Sequence, residues 1–307
     1  MKKVFIVGSS GTTGLRLRNR LLERSDVELL EIDEKLRRDA GEIERLMGLS
    51  DFCFLCLPDE AAREMAALSA AKKTRLIDAS TAHRCSDTWV YGFPELSSSQ
   101  RLQIEKAKRV AVPGCHALGI IALTAPLTQT GLMPLNYPLC CTGITGYSGG
   151  GKQMIAEYES QETPLSPKQY AMAQSHKHLP EIVRHCNLSH APVFSPIVSN
   201  FYSGMLISIC LHTSRLTWKV SPDDIRDIYK SHYAAAALID VVDDAPSSLY
   251  AEALSGRDDM QIYVSGNDER ILVSALYDNL GKGASGAAIQ CFNIMSGADE
   301  RGGLKIS

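Results

Sequence analysis

Over its first 114 positions the chain alternates short unbroken apolar runs with longer segments whose apolar residues recur every three to four positions. "KVFIVG", "VELLEID", "DFCFLCLP", "TRLIDAS" and "RVAVPG" are of the first kind, and "TTGLRLRNRLLER", "DAGEIERLMG" and "DEAAREMAALSAAKK" of the second. Buried strands separated by amphipathic helices predict a parallel sheet covered on both faces, hence a doubly wound α/β domain. From Cys115 the pattern changes. One apolar helix, "HALGIIALTAPLTQTG", and a shorter "KQMIAEYES" are joined by β-rich runs such as "PVFSPIVSNF", "GMLISICLHTSRL", "MQIYVSGND" and "RILVSALYD". Few crossover helices and long strands predict an α+β domain built on a mixed or antiparallel sheet. At 307 residues the chain is longer than one core usually grows. The expected division is residues 1–114, residues 115–279, and a C-terminal helix, 280–307, that packs back on the first domain.

Composition narrows the function classes. A chain with 45% hydrophobic and 22% charged residues and a net charge of -3 is an ordinary globular protein with no electrostatic call for nucleic acid. "MKKVFIVGSSG" carries too short an apolar run for a signal peptide, and no run approaches membrane-spanning length, so a cytoplasmic location is expected. Nine cysteines are then expected as reduced thiols. In the strand "FCFLCLP" an offset of three points Cys53 and Cys56 to opposite faces, and Cys140 and Cys141 are separated in the same way. All four are read as small buried hydrophobes.

Gly8, Gly11 and Gly14 follow the first strand directly in "VGSSGTTGL". Glycine there permits a tight turn and close approach of a pyrophosphate to a helix N-terminus, with Ser10, Thr12 and Thr13 adding hydroxyl donors. This places a dinucleotide on the first domain and gives it the Rossmann reading. Glu31 or Asp33 would suit the ribose hydroxyls of NAD, whereas Lys35, Arg37 and Arg38 would suit the 2′-phosphate of NADP. NADP(H) is the favoured cofactor.

Cys115 differs from the other cysteines, because it follows Pro113 and Gly114 at a strand end and opens a helix. Ligands bind beyond the carboxyl ends of strands in open α/β sheets, and a helix N-terminus favours thiolate over thiol. Beside a nicotinamide, such a sulfur forms a thioester or hemithioacetal through which hydride couples an aldehyde to an activated acid. A buried structural cysteine is the competing reading.

In chain order, "GTTGL", "DASTAHR", "YGFPEL", "PGC", "GYSGGGK", "HKHLPEI", "VSGNDER" and "NLGKGASGAA" resemble the N-acetyl-gamma-glutamyl-phosphate reductases of the shorter, second type over nearly the whole chain. The resemblance implies NADPH-dependent reductive dephosphorylation of N-acetyl-gamma-glutamyl phosphate to N-acetylglutamate 5-semialdehyde, a step of arginine biosynthesis. It puts the nucleophile at Cys115 and the general acid/base in "HKH", with His178 the first choice and His176 the second. Arg84 of "STAHR" falls at the substrate phosphate, and Asn279 on the nicotinamide side. Backbone N–H groups of "YSGGGK" are expected to form an anion nest with Ser148 and Gly149 near the cofactor, and Tyr147 and Lys152 to face the substrate. No third ligand stands at zinc-like spacing from His176 and His178, so no metal is expected. His116, Ala117 and Leu118 stand where the family commonly has a tyrosine and a Pro-Thr pair. This leaves His116 open, either a second proton carrier or a polar group at a helix start. The rivals are an aspartate-semialdehyde dehydrogenase-like acyl-phosphate reductase and a non-catalytic NADP(H)-sensing protein. A small-molecule substrate and a homodimer or homotetramer are expected, the second-domain sheet being the plausible contact surface.

Overall fold

The structure, a computed structural model, describes residues 1–68 and 70–306. Its elements begin with β1 (Lys2–Val7), α1 (Thr12–Leu22), β2 (Val27–Leu30), α2 (Ala40–Leu49), β3 (Phe52–Leu55), α3 (Asp59–Ala67), β4 (Arg75–Asp78), β5 (Val90–Tyr91), α4 (Gln100–Lys106) and β6 (Arg109–Ala111). They continue with α5 (Cys115–Gln129), β7 (Cys140–Gly146), α6 (Gly151–Glu159), β8 (Lys168–Gln169), α7 (Leu179–Cys186), β9 (Val193–Ser199) and β10 (Met205–His212). The last are α8 (Pro222–Tyr233), β11 (Ile239–Val241), β12 (Met260–Gly266), β13 (Arg270–Tyr277) and α9 (Gly286–Ser296). Two compact units result. The first joins Met1–Pro94, Ser99–Pro113 and Ala284–Leu304, and the second is built on Gly114–Gly283 with Glu95–Ser98 added.

In the first unit the strand order among the described residues is β2-β1-β3-β4-β6-β5, with every neighbouring pair parallel. Side chains alternate between two cores. Val4, Ile6, Phe52 and Phe54 meet α1 and α9 on one face, while Phe5, Val7, Cys53 and Leu55 meet α2 on the other. A sheet buried on both faces explains why its strands read as continuous apolar runs. Each fully buried Phe or Leu contributes roughly 1.5–3 kcal/mol. The C-terminal segment is helical only over α9, preceded by a π turn at Gly281–Ser285 and stopped by Gly297 in the left-handed conformation. Phe292 of α9 sets its ring edge-on to Phe52 at 5.0 Å. Two elements, β5 and α4, escaped the periodicity argument because two and seven residues are too short to display a period.

In the second unit the order is β11-β12-β13-β10-β7-β9-β8, a mixed sheet in which β7–β9 and β11–β12 are the parallel pairs. Helix α5 lies against β10 and β13 with α7 and α8 beside it. Every residue from His116 to Leu127 is buried, as expected for a helix apolar all round. Among the described residues no helix is long and apolar enough to cross a membrane.

The cysteine readings need one correction. Cys53 and Cys141 are buried, but Cys56 is half-buried at the end of its strand and Cys140 is exposed. Alternation along β7 that buries Cys141 turns its neighbour outward.

Candidate active site

The glycine turn sits at the carboxyl end of β1, where the strand order reverses between β2 and β3, the usual ligand crevice of a doubly wound sheet. Gly8 has φ +87°, and a Cβ there would stand 2.3 Å from the Cys56 carbonyl oxygen. A Cβ on Gly14 would stand 2.2 Å from the Gly8 carbonyl oxygen, so the turn closes only without side chains at both positions. Gly11 is the N-cap of α1 and offers no side-chain acceptor, which leaves the first-turn N–H groups at Thr12, Thr13 and Gly14 facing an anion site. A cavity of about 530 Å³ beside the turn is lined by Gly8, Ser10, Glu34, Arg37, Arg38 and Leu57, among others. Glu31 is paired with Arg18, the Asp33 carboxylate accepts the Lys35 N–H, and Arg37, itself paired with Glu34, lines the cavity with Arg38. A pyrophosphate on α1 with a 2′-phosphate toward the arginines fits these donors.

Beyond β4 the "STAHR" loop is held by Asp78, which accepts from Ser80 N–H (2.9 Å), Ser80 Oγ (2.7 Å) and His83 Nδ1 (2.6 Å). His83 stacks on Trp89 at 4.1 Å. The loop turns Arg84 inward, and its guanidinium donates to the carbonyls of Val112 (2.8 Å) and Ala79 (3.1 Å) at the ends of β6 and β4. Arg84 is buried, not a surface ion-pair residue.

In the second unit Cys115 is the first residue of α5 and half-buried. Its Sγ lies 3.6 Å from His116 Nδ1, and its carbonyl accepts the Tyr277 hydroxyl at 2.6 Å. The Gly114 N–H donates to the buried Glu181 carboxylate at 3.2 Å, so α7 supplies an acid to the α5 N-terminus. Gly283, in the π turn, abuts this residue: a Cβ there would be 3.2 Å from Cys115 Cβ. Lys282 next to it is fully buried and paired with Glu95 at 2.7 Å. Sequence reasoning missed Glu181, Tyr277 and Lys282. Glu181 stood inside "HKHLPEI", but no local pattern announces a partner 67 residues away.

The two histidines reach Cys115 through a pinned loop. Gln174, with φ +55°, both donates to the Phe194 carbonyl and accepts the Phe194 N–H, each at 2.9 Å, which fastens the loop to β9. The backbone N–H of His178 then donates to His176 Nδ1 at 3.2 Å, which bends the chain between the two histidines. The rings of His176 and His178 lie 4.6 Å apart, and those of His116 and His176 5.7 Å apart, with Tyr170 and Phe194 packed on His116. One ligand atom each of Cys115, His116 and His178 lie within 4.8 Å of one another. His176 stands outside that group. Burial lowers the His116 pKa to about 3 and, with Lys177 adding repulsion, that of His176 to about 4. Both rings are therefore neutral at pH 7. The Tyr170 phenol is raised by burial first and by Cys115 second.

Asn279 is buried, accepting the Gly204 N–H (2.9 Å) and donating to Ser148 Oγ (3.1 Å). A Cβ on Gly149 would stand 3.3 Å from Asn279 Nδ2, so Ser148, Gly149 and Asn279 do come together. The anion nest is narrower than expected. N–H groups of Tyr147, Ser148 and Gly151 already donate to the carbonyls of Phe201, Tyr202 and Ser148 respectively. Tyr147 stacks on Tyr158 at 4.9 Å and meets Glu159, neither of them in the Cys115 group, and Lys152 is an exposed residue at the start of α6.

Comparison with known proteins places this geometry. Residues 115–279 match the semialdehyde dehydrogenase dimerisation domain, and residues 30–104 the semialdehyde dehydrogenase NAD binding domain. The N-acetyl-gamma-glutamyl-phosphate reductase of Sinorhizobium medicae is 42% identical, covering 96% of this chain and 99% of that protein. The reductase of Chelativorans sp. is 43% identical, with 95% and 97% covered. The chain belongs to the N-acetyl-gamma-glutamyl-phosphate reductase family. Its fold is shared with aspartate semialdehyde dehydrogenase II from Vibrio cholerae (TM-score 0.73, 14% identity, 96% of this chain and 98% of that one). The enzyme from Francisella tularensis is similar too (TM-score 0.70, 15% identity, 96% and 100% covered).

Proposed function

We propose that this reductase-family chain converts N-acetyl-gamma-glutamyl phosphate, with NADPH, to N-acetylglutamate 5-semialdehyde and phosphate, a step of arginine biosynthesis, through a thioester on Cys115. The observation that carries this is the half-buried Cys115 Sγ at the first position of α5 with His178 in the same 4.8 Å group. At the positive end of α5 the sulfur attacks the acyl carbon, phosphate departs, and the thioester remains. Bound NADPH supplies the hydride. His178 holds the proton at the carbonyl oxygen as the hemithioacetal forms and withdraws it as the aldehyde leaves. Arg84 meets the departing phosphate, with Tyr147 and Lys152 on the substrate side. The glycine turn at Gly8, Ser10, Gly11, Thr12, Thr13 and Gly14 holds the pyrophosphate, Arg37 the 2′-phosphate, and Ser148, Gly149 and Asn279 the nicotinamide side. The neutral His176, with Nδ1 occupied by the His178 N–H, orients the loop and leaves proton transfer to His178.

The test is oxidation of N-acetylglutamate semialdehyde with NADP and phosphate, followed at the nicotinamide absorbance, beside NAD and beside aspartate semialdehyde. Phosphate-dependent turnover is expected with NADP and the acetylated substrate. Preference for aspartate semialdehyde, or no turnover, overturns the reading. The outward face of the second-unit sheet, with Thr142, Val193, Cys210 and Leu272 exposed, supports a homodimer through that face. Light scattering is expected to give twice the 33.5 kDa chain mass, reduced to one chain in Leu272→Asp.

A further inference from the structure

His116, which follows Cys115 at the start of α5, changes what the Cys115 group can bind. We propose that Cys115, His116 and His178 form a site for a soft or borderline divalent cation, zinc above all, which reversibly blocks the nucleophile. The regulatory consequence rests on Cys115 being that nucleophile, but the site itself does not. Zinc bonds to thiolate at about 2.3 Å and to imidazole at about 2.05 Å, which in tetrahedral geometry sets sulfur and nitrogen about 3.6 Å apart. Cys115 Sγ and His116 Nδ1 lie 3.6 Å apart. His178 brings a third ligand-capable atom within 4.8 Å from a different element, which is why spacing along the chain gave no third ligand. Three protein ligands leave a fourth position for water, the composition of an open site and not of a closed structural one.

Two further features favour a cation here. His116 Nε2 is buried without a hydrogen-bond partner among the described residues, which leaves the Nδ1 contact with Cys115 Sγ as the hydrogen bond of this ring. The Tyr170 and Phe194 rings packed on His116 hold its imidazole in place beside the sulfur. A protonated Cys115 thiol releases its proton to solvent as the sulfur–metal bond forms, and no electron moves. Ligand chemistry of one sulfur and two imidazoles selects zinc or cobalt over magnesium or calcium, which require oxygen.

The experiment is an anaerobic cobalt(II) titration of the full-length protein. A thiolate-to-cobalt charge-transfer band saturating at one ion per chain is expected, displaced by zinc and untouched by magnesium. His116→Asn is expected to weaken cobalt by more than about 100-fold, as loss of a direct ligand, and His176→Asn by less, about 10-fold, as an outer partner. Zinc is also expected to protect Cys115 from iodoacetamide, and EDTA to restore alkylation and turnover together. Absence of the band, undiminished affinity in a folded His116→Asn, or unchanged alkylation under zinc overturns the site. If His116→Asn does not fold, as read by circular dichroism, Cys115→Ser takes its place, and a band surviving there is equally fatal. Should the band appear while metal-free protein turns over no substrate, the cation site stands and the proposed reaction fails.

Discussion

The glycine cradle and the Cys115 cluster are built in opposite ways. The cradle is made from residues 8–14 of one turn, and its specification is steric: two missing side chains and a helix start without a capping acceptor. The cluster draws Cys115 and His116 from α5, His176 and His178 from a loop pinned to β9, Tyr277 from the end of β13 and Gly283 from the π turn after it. A site made by one turn tolerates change elsewhere, whereas a site made by several elements depends on the packing that brings them together.

Three measurements sharpen or break this contrast. Cys115→Ala is expected to lower turnover by roughly 10⁴-fold or more while NADPH affinity stays within about twofold. Weakened NADPH binding would mean that the two regions are not separable. Gly14→Ala places a Cβ on the Gly8 carbonyl, and a strain of about 1–3 kcal/mol predicts NADPH affinity lower by roughly 10–100-fold, measured by fluorescence titration. Iodoacetamide should still alkylate Cys115 in that variant at the parent rate. The third concerns pH. The folded pKa of His116 is lowered from 6.5 to about 3, so between those values the unfolded chain binds the extra proton. Stability therefore rises with pH through that window and falls as pH drops from 7 toward 4, by about 3 kcal/mol from this group. Urea melts at pH 4 and 7 check this, and His116→Asn is expected to reduce the difference, the part from His176 remaining. A stability that rises on acidification would contradict the neutral, buried ring.

The contrast also explains what was legible in the sequence. Gly8, Gly11 and Gly14 after an apolar run identify the cradle because its chemistry is confined to one turn. Cys115 was legible for the same reason, as a residue after Pro-Gly at the join of strand and helix. His178 was put ahead of His176 only through the family resemblance; the backbone bend that gives His176 Nδ1 the His178 N–H and leaves His178 in the 4.8 Å group was not readable. Nor was the nest at "YSGGGK" readable, because the carbonyls of Phe201 and Tyr202 that occupy its N–H groups come from the turn between β9 and β10.

By itself the sequence determined the alternation of strands and helices, the glycine turn after β1 and the position of the thiol at a helix start. These depend on side-chain period, on glycine and on neighbours within one turn of chain. Only the tertiary structure decided that Glu181 caps Gly114, that Tyr277 and Gly283 close on Cys115, and that His116 is held neutral beside the sulfur. Those outcomes depend on distance and desolvation between residues far apart in the chain, quantities that exist only once the elements have packed.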